Sequence, residues 1–196
     1  MSNSTLLSPR PGLSGMWDRL AGPGASSAEN AINLIWSWSF TAFVGIYAAS
    51  TGLAWNPLQW AIALLFALDI AGGVTMNASP AARRWWHRPG QHAKARFGFA
   101  AVHLHPLVLH MVFPEIGWRT ALEMYGYLLV ASAALLLSPH RLRRPIAHGL
   151  FAIALILCLL HWPMFPGLVW FGPLYFLKLL LAHPLDDGAV VGDVNS

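Results

Sequence analysis

The sequence predicts an all-α fold, a polytopic transmembrane helix bundle of about six spans with both termini cytoplasmic. Three observations lead there: 56% of the 196 residues are hydrophobic against 10% charged, the mean hydropathy is +0.52, and the apolar residues fall in long blocks separated by short basic stretches. A soluble globular domain has neither that balance nor that blocking.

The same arithmetic excludes other classes. Cys158 is the single cysteine, so no intramolecular disulfide can form, and its setting among Ile156, Leu157, Leu159 and Leu160 is that of a small buried hydrophobe. The net charge of +4 and pI of about 9.7 do not imply nucleic acid. Ten Arg and two Lys lie mostly between the apolar blocks, which reads as topology and contact with anionic headgroups, and no aromatic-basic platform for stacking bases is present.

Taken in order, residues 1–27 form a flexible tail rich in Ser, Gly and Pro, unlike a secretory signal or a first span. Within it Leu13, Met16, Trp17 and Leu20 recur at i, i+3, i+4 and i+7 beside Arg10, Asp18 and Arg19, the spacing of a short helix lying on a membrane surface, unless the spacing is fortuitous. Ser26 followed by Glu29 has the spacing of a capping box and marks a helix start. A single transmembrane domain, 28–184, follows, with apolar blocks at 31–54, 57–77, 96–113, 119–138, 146–161 and 165–183. Each approaches the length that crosses a hydrocarbon core of about 30 Å. Pro163 and Pro166 leave open that the last two blocks form a re-entrant pair. Residues 185–196 form an acidic tail with Asp186, Asp187 and Asp193.

Orientation follows from the positive residues. Arg83, Arg84, Arg88, Lys94 and Arg96 follow the second block, and Arg141, Arg143 and Arg144 follow the fourth; both loops belong inside. The alternate loops hold at most Glu115 and Arg119. The expectation is an integral, multi-pass protein of a bacterial inner membrane. No internal repeat supports a transporter of duplicated halves.

An ionisable side chain near the middle of a span costs about 2.5–3.5 kcal/mol on insertion scales, so each needs a partner or a purpose. Glu123 has Arg119 one turn before it, an i, i+4 pair able to reach the interface. Asp69 has no cation within a turn of its own helix, so its partner must come from another; Gly73 and Asn77 share its face, with Gly72 adjacent, a row that lets a ligand or a helix approach closely. His103, His105 and His110 surround Pro106 in the third block. No two of them can chelate one ion on a straight helix, and a kink at Pro106 would still require ligands from other spans. Counted inward from the basic side, Asp69, His103, His148 and Lys178 fall roughly 8–12 Å from the boundary, one layer fed by four helices. An ion pair of Asp69 with Lys178 that only fixes packing is the plainer alternative.

The segment 81–96 lies over that layer. Arg83, Arg84 and Arg88 with Asn77 are the candidate groups for an anionic head of a substrate, Lys94 also being placed to help, and Trp85 and Trp86 seat the loop at headgroup level. Positive-inside composition alone explains much of the same stretch. His87 and His92 add weak support for proton transfer or metal ligation.

The zinc-protease HExxH, the phosphate-binding glycine loop, the dinucleotide fingerprint and the nucleophile elbow are absent, as are the repeated histidine clusters of membrane di-iron enzymes. Four readings stand. The first is an integral membrane enzyme acting on a lipid-like or apolar small molecule, with Asp69, His103 and Lys178 catalytic. In its metal-dependent form, Fe or Zn is held by His103, His110, His148 and Asp69. The second is a b-type haem electron carrier, in which one of His103, His105 or His110 pairs with His148 or His161. The third is a small proton-coupled transporter using Asp69, His103 and Lys178 as a relay. The fourth is a structural membrane partner. Membrane lipids are the expected surroundings, an oligomer is compatible with the sequence, and nucleic acid is not an expected partner.

Overall fold

A computed structural model describes residues 8–88, 90 and 93–185. All regular structure in them is helical. Four helices are long and apolar enough to cross a membrane: α2 (Ser27–Ser50), α3 (Pro57–Ala78), α7 (Trp118–Leu137) and α8 (His140–Leu160). The others are α1 (Gly12–Ala21), α4 (Pro80–Trp86), α5 (Ala93–Ala101), α6 (His105–Val112) and α9 (Phe171–Phe176), which continues as a π-helical segment Leu177–Ala182. The chain is thus a membrane-embedded helical protein. The acidic tail at Asp186, Asp187 and Asp193, and His92, lie outside the described residues.

The helix starts follow from local chemistry. Ser26 Oγ accepts from the Glu29 amide at 3.2 Å while Glu29 Oε2 accepts from the Ser26 amide at 2.8 Å, so two free donors at the start of α2 are satisfied reciprocally. Asn56 and Gln59 repeat the device at α3, with Pro57 in the first turn where its missing N–H costs nothing. Gln59 Nε2 reaches on to the Val112 carbonyl at the end of α6 (3.1 Å).

Helix α1 forms where the apolar spacing predicts it, and Leu13 and Met16 are exposed. Its polar contacts run to the residues just before it and to α2. Arg10 meets Asp18 through its backbone N and Nε at 2.9 Å and its Nη2 at 2.7 Å, and Trp17 Nε1 donates to Asn30 Oδ1 at 2.8 Å. The Arg10 guanidinium holds the Asp18 carboxyl down at about 2. Gly22, at φ 87°, passes so close to Ala81 that a Cβ would lie 2.2 Å from its carbonyl oxygen, so only glycine fits this crossing of the chain over α4.

Two expected spans take another form. The block 96–113 contains no continuous helix: α5 ends at Ala101 and α6 begins at His105. Pro106 sits in the first turn of α6, which starts at His105 after Leu104, where its missing N–H costs nothing and proline starts a helix well; the block is therefore broken here and not merely kinked. The block 165–183 is helical only from Phe171, in two six-residue pieces, about 18 Å at 1.5 Å per residue. This short helix is the centre of the core. Phe171, Tyr175, Phe176 and Leu180 are fully buried among Ile70 of α3, Leu109 of α6, Met124 and Leu128 of α7 and Ala154 of α8. Cys158 is buried, as its neighbours suggest, and Gly172 lets its Sγ approach to where a Cβ would stand 2.6 Å away. The long helices α2 and α8 instead present apolar outer faces, with Ile46, Phe43, Leu159 and Leu160 all exposed, which suits lipid contact.

Candidate functional site

The site is built where the two irregular helices meet α3. Asp69 lies about 18 Å along that helix from Pro57. Its Oδ2 accepts from Lys178 Nζ at 2.7 Å and from His105 Nε2 at 3.0 Å. Lys178 belongs to the π segment and His105 opens α6, so the carboxylate's partners come from two other elements, as the absence of a cation on its own helix requires. π segments widen a helix locally and are frequent at functional positions.

Burial around the carboxylate is uneven. The Lys178 side chain is 3% exposed and that of His105 14%, whereas that of Asp69 is 46% exposed. The ammonium is sealed inside and the carboxylate faces outward. Gly73 makes the seal: a Cβ there would lie 2.3 Å from Lys178 Cε, so the lysine stem runs directly over α3 backbone. Gly72 does the same for α2, with Ser37 Oγ 2.7 Å from the position of its absent Cβ.

The break between α5 and α6 leaves carbonyls without helical partners, and two tyrosines meet them. Tyr125 of α7 donates to the Ala101 carbonyl at 2.6 Å and Tyr175 of α9 to the His103 carbonyl at 2.7 Å. Irregular backbone at membrane depth persists only when its polar groups are met in this way. His103 Nδ1 donates to the Phe99 carbonyl, leaving Nε2 as the acceptor of the neutral ring. Its ring lies parallel to that of His105 at 5.2 Å.

Of the candidate catalytic residues, Asp69 and Lys178 are thus in direct contact and His103 adjoins them through His105. His105 is the member of this cluster that spacing alone missed; its place just before Pro106, where a helix is prone to break, is the signal that points to it. Asn77 is buried two turns below Asp69, its Nδ2 without a partner. The three arginines do not form one site. Arg83 lines a cleft with Arg144 and His148, Arg84 is exposed, and Arg88 lies 3.6 Å from the centre of the Trp85 ring.

The expected metal ligands are not brought together. His110 packs against Trp118 at 4.2 Å, and His148 Nδ1 donates to the Arg144 carbonyl at 2.7 Å beside the cleft. Among the described residues no three His, Cys, Asp or Glu side chains gather as a group able to hold a metal ion. The depth count placed His148 level with Asp69, but depth says nothing of the direction a side chain takes around its helix.

Two further polar clusters lie apart from this one. Glu123 pairs with Arg119 Nε at 2.8 Å, as the i, i+4 spacing predicts, and also accepts from His161 Nε2 and Trp162 Nε1, both at 2.9 Å. His183 stacks on Phe99 at 3.7 Å with neither ring nitrogen hydrogen-bonded, while its carbonyl accepts from His87 Nε2 at 3.0 Å. No protein family, curated protein or solved structure matches the chain.

Proposed function

We propose that the chain is a membrane-embedded enzyme that carries out acid-base chemistry on a lipid-like or apolar small molecule at Asp69, His105 and Lys178. The observation that carries this reading is the asymmetric carboxylate: Asp69 Oδ2 is shared by a buried ammonium and an imidazole, yet the side chain stays 46% exposed. A pair serving packing alone has no need to leave its acid facing outward. Asp69 holds His105 with Nε2–H toward itself, so Nδ1 is the position that takes a proton from substrate and returns it. Lys178 donates to the same carboxylate oxygen and fixes its position, and the carboxylate stabilises the imidazolium as it forms.

In the same proposal the chain crosses six times. α5 with α6 makes one interrupted crossing and Phe171–Ala182 a short central one; both termini and the arginine-rich loops lie on the cytoplasmic side. The charge asymmetry of the loops supports this topology.

The test compares total lipid extracts from cells producing wild-type protein and Asp69→Asn at equal membrane abundance and helix content. A lipid species that changes with wild type and not with the variant is expected; identical extracts would overturn the assignment. One observation favours a second reading, a proton-coupled carrier: an interrupted helix and a π segment converge on an ionisable group at mid-span. That reading requires flux in sealed vesicles driven by a pH gradient, abolished by Asp69→Asn while the lipid extracts stay unchanged.

A further inference from the structure

A cleft of about 220 Å³ lies between α3, α4, α8 and the π segment, separate from the contacts of Asp69. Arg83 of α4 and Arg144 and His148 of α8 line it together with Val74, Leu177 and Leu181. Its polarity is graded. Arg83 lies just beyond the end of α3 and Arg144 in the first turns of α8, next to the basic stretches of the chain. Val74 lies five residues from Asp69 and Leu177 adjoins Lys178, so the apolar wall continues inward to the level of the acid-base site. The His148 ring is fixed by its Nδ1 bond to the Arg144 carbonyl, which leaves Nε2 as the acceptor of the neutral ring, so the donors in the cleft are the two guanidinium groups.

We propose that this cleft binds one anionic phospholipid, its phosphate between Arg83 and Arg144 and the start of its acyl chains along Val74, Leu177 and Leu181. Charge complementarity selects the phosphate, for which paired guanidinium groups are well suited. The apolar wall selects an amphiphile over free phosphate, and basic pockets between spans are a recurrent form of lipid headgroup site. The volume corresponds to roughly seven water molecules, enough for a phosphate diester and its first carbons, so the rest of each chain extends beside the helices. This site stands whether or not Asp69 turns over a substrate.

The experiment is native mass spectrometry of the full chain in detergent, titrated with dioleoylphosphatidylglycerol and with dioleoylphosphatidylcholine, which share their acyl chains and phosphate and differ in headgroup, net anionic in the first and zwitterionic in the second. One phosphatidylglycerol is retained in preference to phosphatidylcholine. Arg144→Gln weakens it roughly tenfold, the loss expected for one charge-assisted contact, while Arg141→Gln, outside the cleft, leaves it unchanged. Leu181→Trp, which fills the apolar wall and keeps every charge, also releases the lipid. Equal retention of the two lipids, or an Arg144→Gln protein that binds as wild type, overturns the proposal. So does binding that survives Leu181→Trp and is displaced by millimolar inorganic phosphate, since the cleft then takes the free anion. All variants are compared at wild-type helix content, and Arg144→Lys, which keeps the charge without the planar fork, retains an intermediate affinity.

Discussion

Glu123 and Asp69 are both carboxylates that accept from a cation and from an imidazole, but they are assembled in opposite ways. The cation of Glu123 is Arg119, one turn away on the same helix and 82% exposed. That of Asp69 is Lys178, 109 residues away and 3% exposed. A local pair near a helix end is screened and replaceable by water; a pair formed between distant elements around a sealed ammonium commits the whole bundle. The second kind holds two irregular helices against α3, so a functional site there is coupled to the fold itself.

The largest effect that separates the two comes from removing the acid. Asp69→Leu strands the Lys178 ammonium in the core, and losing one partner of a buried pair costs about 3–5 kcal/mol. Lys178→Met is expected to be milder, because Asp69 remains half exposed and still accepts from His105. In SDS unfolding titrations the double variant Asp69→Leu with Lys178→Met recovers much of the loss of Asp69→Leu. A Lys178→Met protein less stable than Asp69→Leu would break the argument from burial.

Next in size are the tyrosines at the helix break. Tyr125→Phe and Tyr175→Phe each leave a carbonyl of the interrupted backbone unmet, a loss of about 1–3 kcal/mol. Tyr127→Phe provides the internal comparison. Its hydroxyl donates to the Leu150 carbonyl at 2.6 Å within the continuous α8, where the backbone ladder also serves that group, so its removal is expected to cost about 0.5–1 kcal/mol. Equal losses at all three positions, measured by thermal unfolding in one detergent, would mean that the break needs no special support.

Glycines sharpen the same contrast. Gly73→Ala drives a methyl into the Lys178 stem and is expected to destabilise by about 1–3 kcal/mol, as overpacking does. Gly126→Ala on α7 meets open space and is expected to gain up to about 1 kcal/mol from helix propensity. Opposite signs from the same chemical change would locate the close contact at the Lys178 stem, whereas a neutral Gly73→Ala would show that Lys178 can move aside.

These contrasts also mark what was legible in the sequence. Contacts between near neighbours could be read: the Ser26–Glu29 cap, the Arg119–Glu123 pair, and the helix carrying Leu13, Met16, Trp17 and Leu20. Asp69 could be identified as needing a partner from elsewhere, and Lys178 stood at its depth. The joining of His105 to the site was hidden because it depends on whether Pro106 kinks one helix or begins another, and tertiary contacts from Tyr125 and Tyr175 decide that. The π segment at Leu177–Ala182 carries no sequence mark, and it sets the direction of Lys178. His148 was misplaced for a related reason: rise per residue gives height along a helix, while rotation about the axis depends on packing.

The smallest expected effect concerns another local pair, Arg10 with Asp18, which folds the segment before α1 back onto that helix, next to the Trp17 that bonds Asn30 of α2. The Asp18 carboxyl is held at about 2 in the folded protein by its bonds to Arg10, below its usual value near 3.9 in an unfolded chain. A depressed acid stabilises the folded form above the unfolded value, and that contribution is lost as the pH falls through the folded one. Closure of the Arg10 segment on α1 is therefore constant above about pH 5 and weakens between about pH 4 and 2. The indole N–H resonance of Trp17, next to Asp18, should follow this change in spectra of the protein in detergent. In Asp18→Asn it is expected to start at the position of the opened segment and to stay level over the same range. A wild-type resonance that does not move between pH 5 and 2 would show that the segment stays closed on α1 without the ion pair. If the resonance moves equally in Asp18→Asn, another carboxylate controls the surroundings of Trp17, and Glu29, which accepts from the Ala81 amide at 2.9 Å, is the group to replace next.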